Sequence, residues 1–320
     1  MAQSGRPRYE RSKTVRKPDF LIIGAPRAGT SWVWSQLAAH PGTDLPELKE
    51  PFFFGSAEIY RKGFEWYYEI FRNTDPNKLT GEGSTSNFYD KVPFFYNKGH
   101  ALVHDETLPT IPELICDALG DVKIIICLRD PVERSMSYFK MWQGQGVVSP
   151  FARLRDVAER YPKLRIVEQS FYARYLSLWR QFVPEERLCI LMFEDDIRAK
   201  PKNTLKRLFS FLDLDSEISL GDSEKPVNKH VGRVGGAVRY YFGETVWRAI
   251  GKLRMRRALG YVDALEFWPD PITPEDVEYL RSHFLPERHT LEAMLGRDLA
   301  SWRYGESRLA AESGRPSNQT

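Results

Sequence analysis

Phe20-Leu-Ile-Ile-Gly-Ala-Pro-Arg-Ala-Gly-Thr-Ser31 runs from four apolar residues into a turn bounded by Gly24 and Gly29, and then into Thr30 and Ser31. The apolar run predicts a short strand buried on both faces, and the residues after Gly29 predict the first turn of a helix. A strand-to-helix turn of this kind points several backbone N–H groups, and the positive end of the helix, at one spot suited to a phosphate or sulfate. Arg27 places a permanent cation inside the turn, one that can grip two oxygens at once. A plain turn with a solvated arginine has the same sequence, so this stretch fixes local structure before it fixes function.

The spacing from Gly24 to Gly29 matches a nucleotide P-loop, but the lysine expected after Gly29 is Thr30. Outward from the turn, the chain alternates buried strands and amphipathic helices. Strands are expected at 19–24, 122–128 and 187–193. Helices are expected at 30–40, 63–72, 131 to about 143, 165–183 and 201–212, with a last long helix capped by Thr273. The fold class is therefore α/β: a single domain with a central, mostly parallel sheet covered by helices on both faces. In such sheets ligands bind beyond the C-terminal ends of the strands, where Arg27 and Arg129 both fall.

The chain has 320 residues, enough for one large core. Residues 1–18 are expected to form a flexible arm, 19–303 the folded domain and 304–320 a flexible tail. The net charge of +3 is too small to suggest nucleic-acid binding. Cys116, Cys127 and Cys189 cannot build a disulfide framework and read as reduced thiols. No apolar stretch approaches the roughly 20 residues of a membrane span.

A second anion site is expected at Arg129-Asp-Pro-Val-Glu-Arg-Ser-Met-Ser137. Arg129 ends a strand, and Asp130, Pro131 and Glu133 supply the cap, first turn and capping box of the next helix. Ser137 lies two turns along, with Arg134 one turn before it on the same face. The capped helix start explains Asp130, Pro131 and Glu133 without any ligand, and only the pairing with the first loop gives Arg129 and Ser137 a binding role.

Taken together, Phe20–Leu37 resembles the 5′-phosphosulfate loop of the 3′-phosphoadenosine 5′-phosphosulfate-dependent sulfotransferases, and Lys123–Tyr138 resembles their 3′-phosphate motif. The likeness is to the heparan sulfate sulfotransferase type and its bacterial relatives. It extends through Lys49-Glu-Pro-Phe-Phe-Phe54, Gly81-Glu-Gly-Ser84, Ser170-Phe-Tyr-Ala-Arg174 and Leu295–Trp302. The resemblance implies 3′-phosphoadenosine 5′-phosphosulfate as donor and no metal. It places Arg27, Ala28, Gly29, Thr30 and Ser31 on the 5′-phosphate, with Arg27 where lysine is usual, and Arg129 and Ser137 on the 3′-phosphate. Lys229 and Arg233, in a late basic loop, are expected to close over the donor.

Sulfuryl transfer is an in-line displacement with charge spread over peripheral oxygens, and Arg27 suits the leaving phosphate. The resemblance implies Glu50 as the base for the acceptor. By itself Lys49-Glu50 also reads as a surface ion pair, although its place at the edge of an apolar run desolvates it in part. Lys49 and Glu82 are expected to orient the acceptor, with Glu82 a second candidate acid or base. The sequence departs from its heparan sulfate relatives here: they often carry Glu-Lys-Ser-Pro where this chain has Glu82-Gly83-Ser84-Thr85.

His100 and His104 read as loop residues or alternative bases. Tyr67, Tyr68, Phe88, Tyr89, Phe94 and Phe95 fit either a core or an acceptor cleft. The basic, aromatic stretch 239–257 reads as a solvated helix face, an acceptor flap or a lipid-contacting surface. Lacking the anchor and late cysteine pair of secretory-pathway relatives, the chain is expected to be a cytoplasmic enzyme. Its acceptor is then a small molecule, glycoside or lipid. The competing reading is a P-loop kinase or NTPase, or a non-catalytic nucleotide-binding module, with magnesium dependence separating the kinase.

Overall fold

The computed structural model describes residues 15–90, 109–218, 233–252, 270–306 and 308–309. Four strands, β1 (Phe20–Gly24), β2 (Gly81–Glu82), β3 (Lys123–Leu128) and β4 (Leu188–Met192), form one parallel sheet in the order β2-β1-β3-β4. The apolar runs explain it. Phe20 to Ile23 and Ile124 to Leu128 are fully buried, as strands sandwiched between helices must be. The register slips by one residue between Ile22 and Gly24, where the first loop leaves the sheet.

The helices are α1 (Thr30–Ala39), α2 (Ala57–Tyr60), α3 (Gly63–Glu69), α4 (Ile111–Leu119), α5 (Pro131–Gly144), α6 (Leu154–Arg160), α7 (Tyr172–Phe182), α8 (Pro201–Phe211), α9 (Arg233–Lys252), α10 (Pro274–Phe284) and α11 (Arg288–Leu295). The predicted start of α10 is met in full: Thr273 and Asp276 form a reciprocal capping box. At α5 only part of the prediction holds. Asp130 caps it by accepting from the amides of Val132 and Glu133, but the Glu133 carboxylate faces Arg129 at 3.5 Å instead of closing a box.

Several expectations are corrected. The helix over 165–183 is broken: two 3₁₀ turns (Pro162–Leu164 and Glu168–Ser170) precede α7, and Arg165 between them takes a left-handed backbone. Arg134 does not face a ligand. It is fully buried and donates to Ser170 Oγ and to the carbonyl of Ile166, so it ties α5 to the 3₁₀ turn at 168–170. Tyr67, Tyr68, Phe88 and Tyr89 belong to the core, while Phe94 and Phe95 lie outside the described residues.

The expected arm is anchored before its end, for Arg16 pairs with Asp19 at 2.8 Å and donates to the Lys78 carbonyl at 2.7 Å. The expected tail is anchored past its start, with Tyr304 2 % exposed. The stretch 239–257 is helical through Lys252 except for a kink at Gly243 (φ 80°, ψ 171°), with Trp247 buried and Tyr240, Tyr241 and Phe242 exposed; 253–257 lie outside the described residues. No described helix is long and apolar enough to cross a membrane.

Candidate active site

The loop after β1 is shaped by its glycines. Gly29 has φ 99°, and a Cβ there would lie 2.7 Å from Ile197 Cδ1 and 3.0 Å from Phe193 Cδ2. Only glycine meets both demands. Arg27 also takes a left-handed φ, 67°. Gly29 is the cap residue of α1 and offers no side-chain acceptor, and the first turn carries no acid. The first helical bonds are those of Trp32 and Val33 to the Gly29 carbonyl. The N–H groups of Gly29, Thr30 and Ser31 precede them, so α1 presents an uncapped positive end. The second helix, α5, differs: Asp130 fills its N-terminus, and its contribution to anion binding must come from side chains.

Those side chains meet the first loop. Arg27 Nε donates to Ser137 Oγ at 3.1 Å, and Arg129 Nη1 donates to the Arg27 carbonyl at 3.2 Å. Two motifs more than 100 residues apart are thus one structure. Burial, and then the like charge of Arg129, hold the Arg27 guanidinium below its ordinary pKa. Two guanidiniums kept together favour an anion between or beside them. The structure brings Arg27, Arg129 and Ser137 into contact, and Ala28, Gly29, Thr30 and Ser31 continue the same loop into α1.

The structure adds residues that the sequence reading missed. Glu194, 7 % exposed, sits just past β4, its Oε1 3.9 Å from Arg129 Nε. Burial pushes its carboxyl up to about 7, with the Asp130 charge adding to this and Arg129 opposing it. Asp130 is likewise pushed up, to about 6, by burial. The Tyr172 hydroxyl donates to the Arg129 carbonyl at 2.9 Å, and the Tyr304 amide donates to Asp130 Oδ2 at 2.7 Å. The only signal for Glu194 in the sequence was its place: like Arg27 and Arg129, it follows the C-terminal end of a buried strand.

Lys49 and Glu50 border the same cluster. Lys49 Nζ lies 3.3 Å from Ser31 Oγ and 2.9 Å from Glu50 Oε1. The Gly83 amide donates to the Lys49 carbonyl at 2.8 Å and the Phe52 amide to Ser84 Oγ at 2.9 Å, so the segments at 49–52 and 83–84 brace each other. Glu82 is fully buried. Its carboxylate accepts from the Ser84 amide and Asn87 Nδ2, each at 3.0 Å, and from the Tyr67 hydroxyl at 3.5 Å. Burial outweighs these donors and pushes Glu82 up to about 7, with the Glu50 charge adding to the rise. Glu82 is engaged within the protein, and its link to Glu50 runs through charge and through the brace at 83–84.

Lys229, His100 and His104 lie outside the described residues. Arg233 opens α9, but its side chain is not among those described.

A family model described as the sulfotransferase domain matches residues 17–233. The heparan sulfate glucosamine 3-O-sulfotransferase 5 of Mus musculus is 26% identical over 210 residues, covering 63% of this chain and 55% of that protein. The bifunctional heparan sulfate N-deacetylase/N-sulfotransferase 1 of Caenorhabditis elegans is 24% identical over 209 residues, covering 62% of this chain and 22% of that protein. The chain therefore matches about half the length of one curated relative and about a fifth of the other. Among solved structures, a sulfotransferase from Alicyclobacillus acidocaldarius shares the fold with a TM-score of 0.62 at 19% identity, covering 90% of this chain and 100% of that one. By the family match over 17–233, with the fold shared alongside it, this chain belongs to the sulfotransferase domain family.

Proposed function

We propose that the chain moves a sulfuryl group from 3′-phosphoadenosine 5′-phosphosulfate to an acceptor hydroxyl or amine. The observation that carries this reading is the contact of Arg27 with Ser137 and of Arg129 with the Arg27 carbonyl, which joins an uncapped helix end and two arginines into one site for a doubly phosphorylated nucleotide. The N–H groups of Gly29, Thr30 and Ser31 hold the 5′ end. Arg129 and Ser137 hold the 3′-phosphate, and Glu133 and Glu194 on either side keep the Arg129 guanidinium in place. The donor supplies an activated sulfuryl group on a phosphate leaving group.

Arg27 stabilises the charge that develops on that phosphate. Glu50 takes the acceptor proton, and Lys49, between Ser31 and Glu50, links the base to the donor loop. Atoms balance: the acceptor–sulfur bond forms as the sulfur–oxygen bond to the 5′-phosphate breaks. The electron pair leaves with adenosine 3′,5′-bisphosphate, and the proton ends on Glu50.

Calorimetric titration with adenosine 3′,5′-bisphosphate beside ADP, without magnesium, tests the donor assignment. We expect tight binding of the bisphosphate and much weaker binding of ADP. Arg129→Ala should weaken the bisphosphate about 10- to 100-fold, since a charge-assisted contact contributes roughly 1.5–3 kcal/mol. Equal binding of the two nucleotides would overturn the reading.

A further inference from the structure

Arg129 is crowded by carboxylates. Its Nη2 lies 3.5 Å from Glu133 Oε2, and its Nε lies 3.9 Å from Glu194 Oε1. The second approach is too long for a hydrogen bond, and Nε is buried without one. Glu194 is poorly served in return: the Asp130 amide is shared between its two oxygens, 3.4 Å from each. Where a buried carboxylate has only a long, shared donor and a guanidinium beyond hydrogen-bond reach, the neutral acid competes with the anion.

The surrounding charges press in the same direction. Asp195 and Asp196 follow in the same turn, Phe193–Arg198, but Arg297 pairs with both and Arg207 with Asp196. From α7, the Tyr172 hydroxyl donates to the Arg129 carbonyl and brings no charge. That leaves three carboxylates, Asp130, Glu133 and Glu194, around two guanidiniums, Arg27 and Arg129. With all five ionised the cluster is net negative before any nucleotide arrives. A 3′-phosphate on Arg129 adds up to two further negative charges to the same guanidinium.

Of the three acids, Glu194 is the one placed to give up its charge near neutral pH. Glu133 is 35% exposed, so water supports its ionised form. Asp130 accepts from the amides of Val132, Glu133 and Tyr304, which favour its anion. Glu194 has neither water nor short donors, and burial has already pushed its carboxyl up to about 7.

We infer that Glu194 is a positioning residue that takes up a proton from solvent when the 3′-phosphate binds, so that Arg129 exchanges a carboxylate partner for the phosphate. This rests on the donor reading above. The proton stays on Glu194 while the nucleotide is bound, and no bond of the nucleotide changes. A group that holds its proton more tightly in the complex favours binding below its free pKa. Nucleotide affinity is then greatest below about pH 7 and falls as pH rises through that value.

The test is calorimetric titration at pH 7.5 in buffers of different ionisation enthalpy, which counts the protons exchanged on binding. Wild type should take up about half a proton with adenosine 3′,5′-bisphosphate and close to none with 5′-AMP, which lacks the 3′-phosphate. A phosphate held by arginines gives protons up, so net uptake comes from the protein. Glu194→Gln should abolish the uptake. It should bind the bisphosphate as tightly as wild type at pH 6 and about three- to tenfold more tightly at pH 8.5. An equal loss of affinity at both pH values would make Glu194 a purely structural support and overturn the inference. So would a proton count unchanged by the substitution, or one shared by 5′-AMP. If Glu194→Gln does not fold, the two nucleotides on wild type decide the matter alone. Failure of the bisphosphate to bind at any pH would instead refute the donor reading and remove the basis of the inference with it.

Discussion

Glu82→Gln should leave stability close to that of wild type at pH 5 and raise it above wild type at pH 8. In the folded protein the Glu82 carboxyl is pushed up from 4.5 to about 7, because burial outweighs the donors from Ser84, Asn87 and Tyr67. At about 1.36 kcal/mol per pH unit, ionising it in the folded state costs roughly 3 kcal/mol more than in the unfolded chain. A raised folded-state pKa means the native state binds the proton more tightly, so this stability is fully present below pH 4.5 and lost as pH climbs through about 7. Glutamine carries no proton to lose and removes that slope. At pH 5 it also sets an amide N–H₂ among groups that donate, which costs about 1 kcal/mol. At pH 5 the wild type has already given up about 1 kcal/mol, because the unfolded chain is mostly ionised there, so the variant is close to wild type at pH 5 and the more stable protein at pH 8, by roughly 2 kcal/mol. Urea unfolding followed by tryptophan fluorescence at several pH values reads both numbers. Asp130 and Glu194 add slopes of the same sign to both proteins, so the difference between the two curves is what matters. Parallel curves from pH 5 to pH 8 would show that the buried carboxyl titrates normally and that the argument from desolvation is wrong.

Glu50→Gln should leave bisphosphate affinity intact and lower turnover by roughly 10²–10⁴, the usual worth of a positioned base; turnover within threefold of wild type would assign the base elsewhere. Gly29→Ala forces a left-handed backbone on alanine and drives its Cβ toward Ile197 and Phe193, so it should cost about 1–3 kcal/mol in urea unfolding and abolish bisphosphate binding. Asp130→Ala removes the cap of α5 and the acceptor of the Tyr304 amide, and a loss of roughly 2–4 kcal/mol is expected, with faster hydrogen exchange at Tyr304. Unchanged exchange there would mean the C-terminal contact is not held by Asp130.

The strands that build the sheet centre were readable because each is a run of branched apolar residues long enough to show itself, as in Ile124 to Ile126. β2 was not, since Gly81–Glu82 is two residues long and has no periodicity to read. Arg27, Arg129 and Ser137 were legible as a set, because anion chemistry restricts which residues can follow a buried strand. Arg134 was misplaced for the converse reason: helical spacing set it on the face of Ser137, and its actual partners, Ser170 and Ile166, arrive by packing from over 30 residues away. Glu133 was misassigned between two legitimate uses, a capping box and an ion pair, which sequence spacing alone does not separate. Glu82 looked like a site residue and is one only through the brace it anchors, which depends on Asn87 and Tyr67 arriving from elsewhere.

The hydrogen bond from the Tyr304 amide to Asp130 spans 174 residues. During synthesis at about 5–20 residues per second, the helix that carries Ser137 leaves the ribosome roughly 9–35 s before the residue that donates to the second oxygen of Asp130. Over that interval Asp130 Oδ1 already caps α5, while Oδ2 has yet to receive the Tyr304 amide. The loop after β1 in turn packs through Gly29 against Phe193 and Ile197, so it gains its full support only once β4 and the segment after it have been made. The cluster around Arg27 is thus drawn from early, middle and late parts of the chain, and its final brace comes from the last segment to be made.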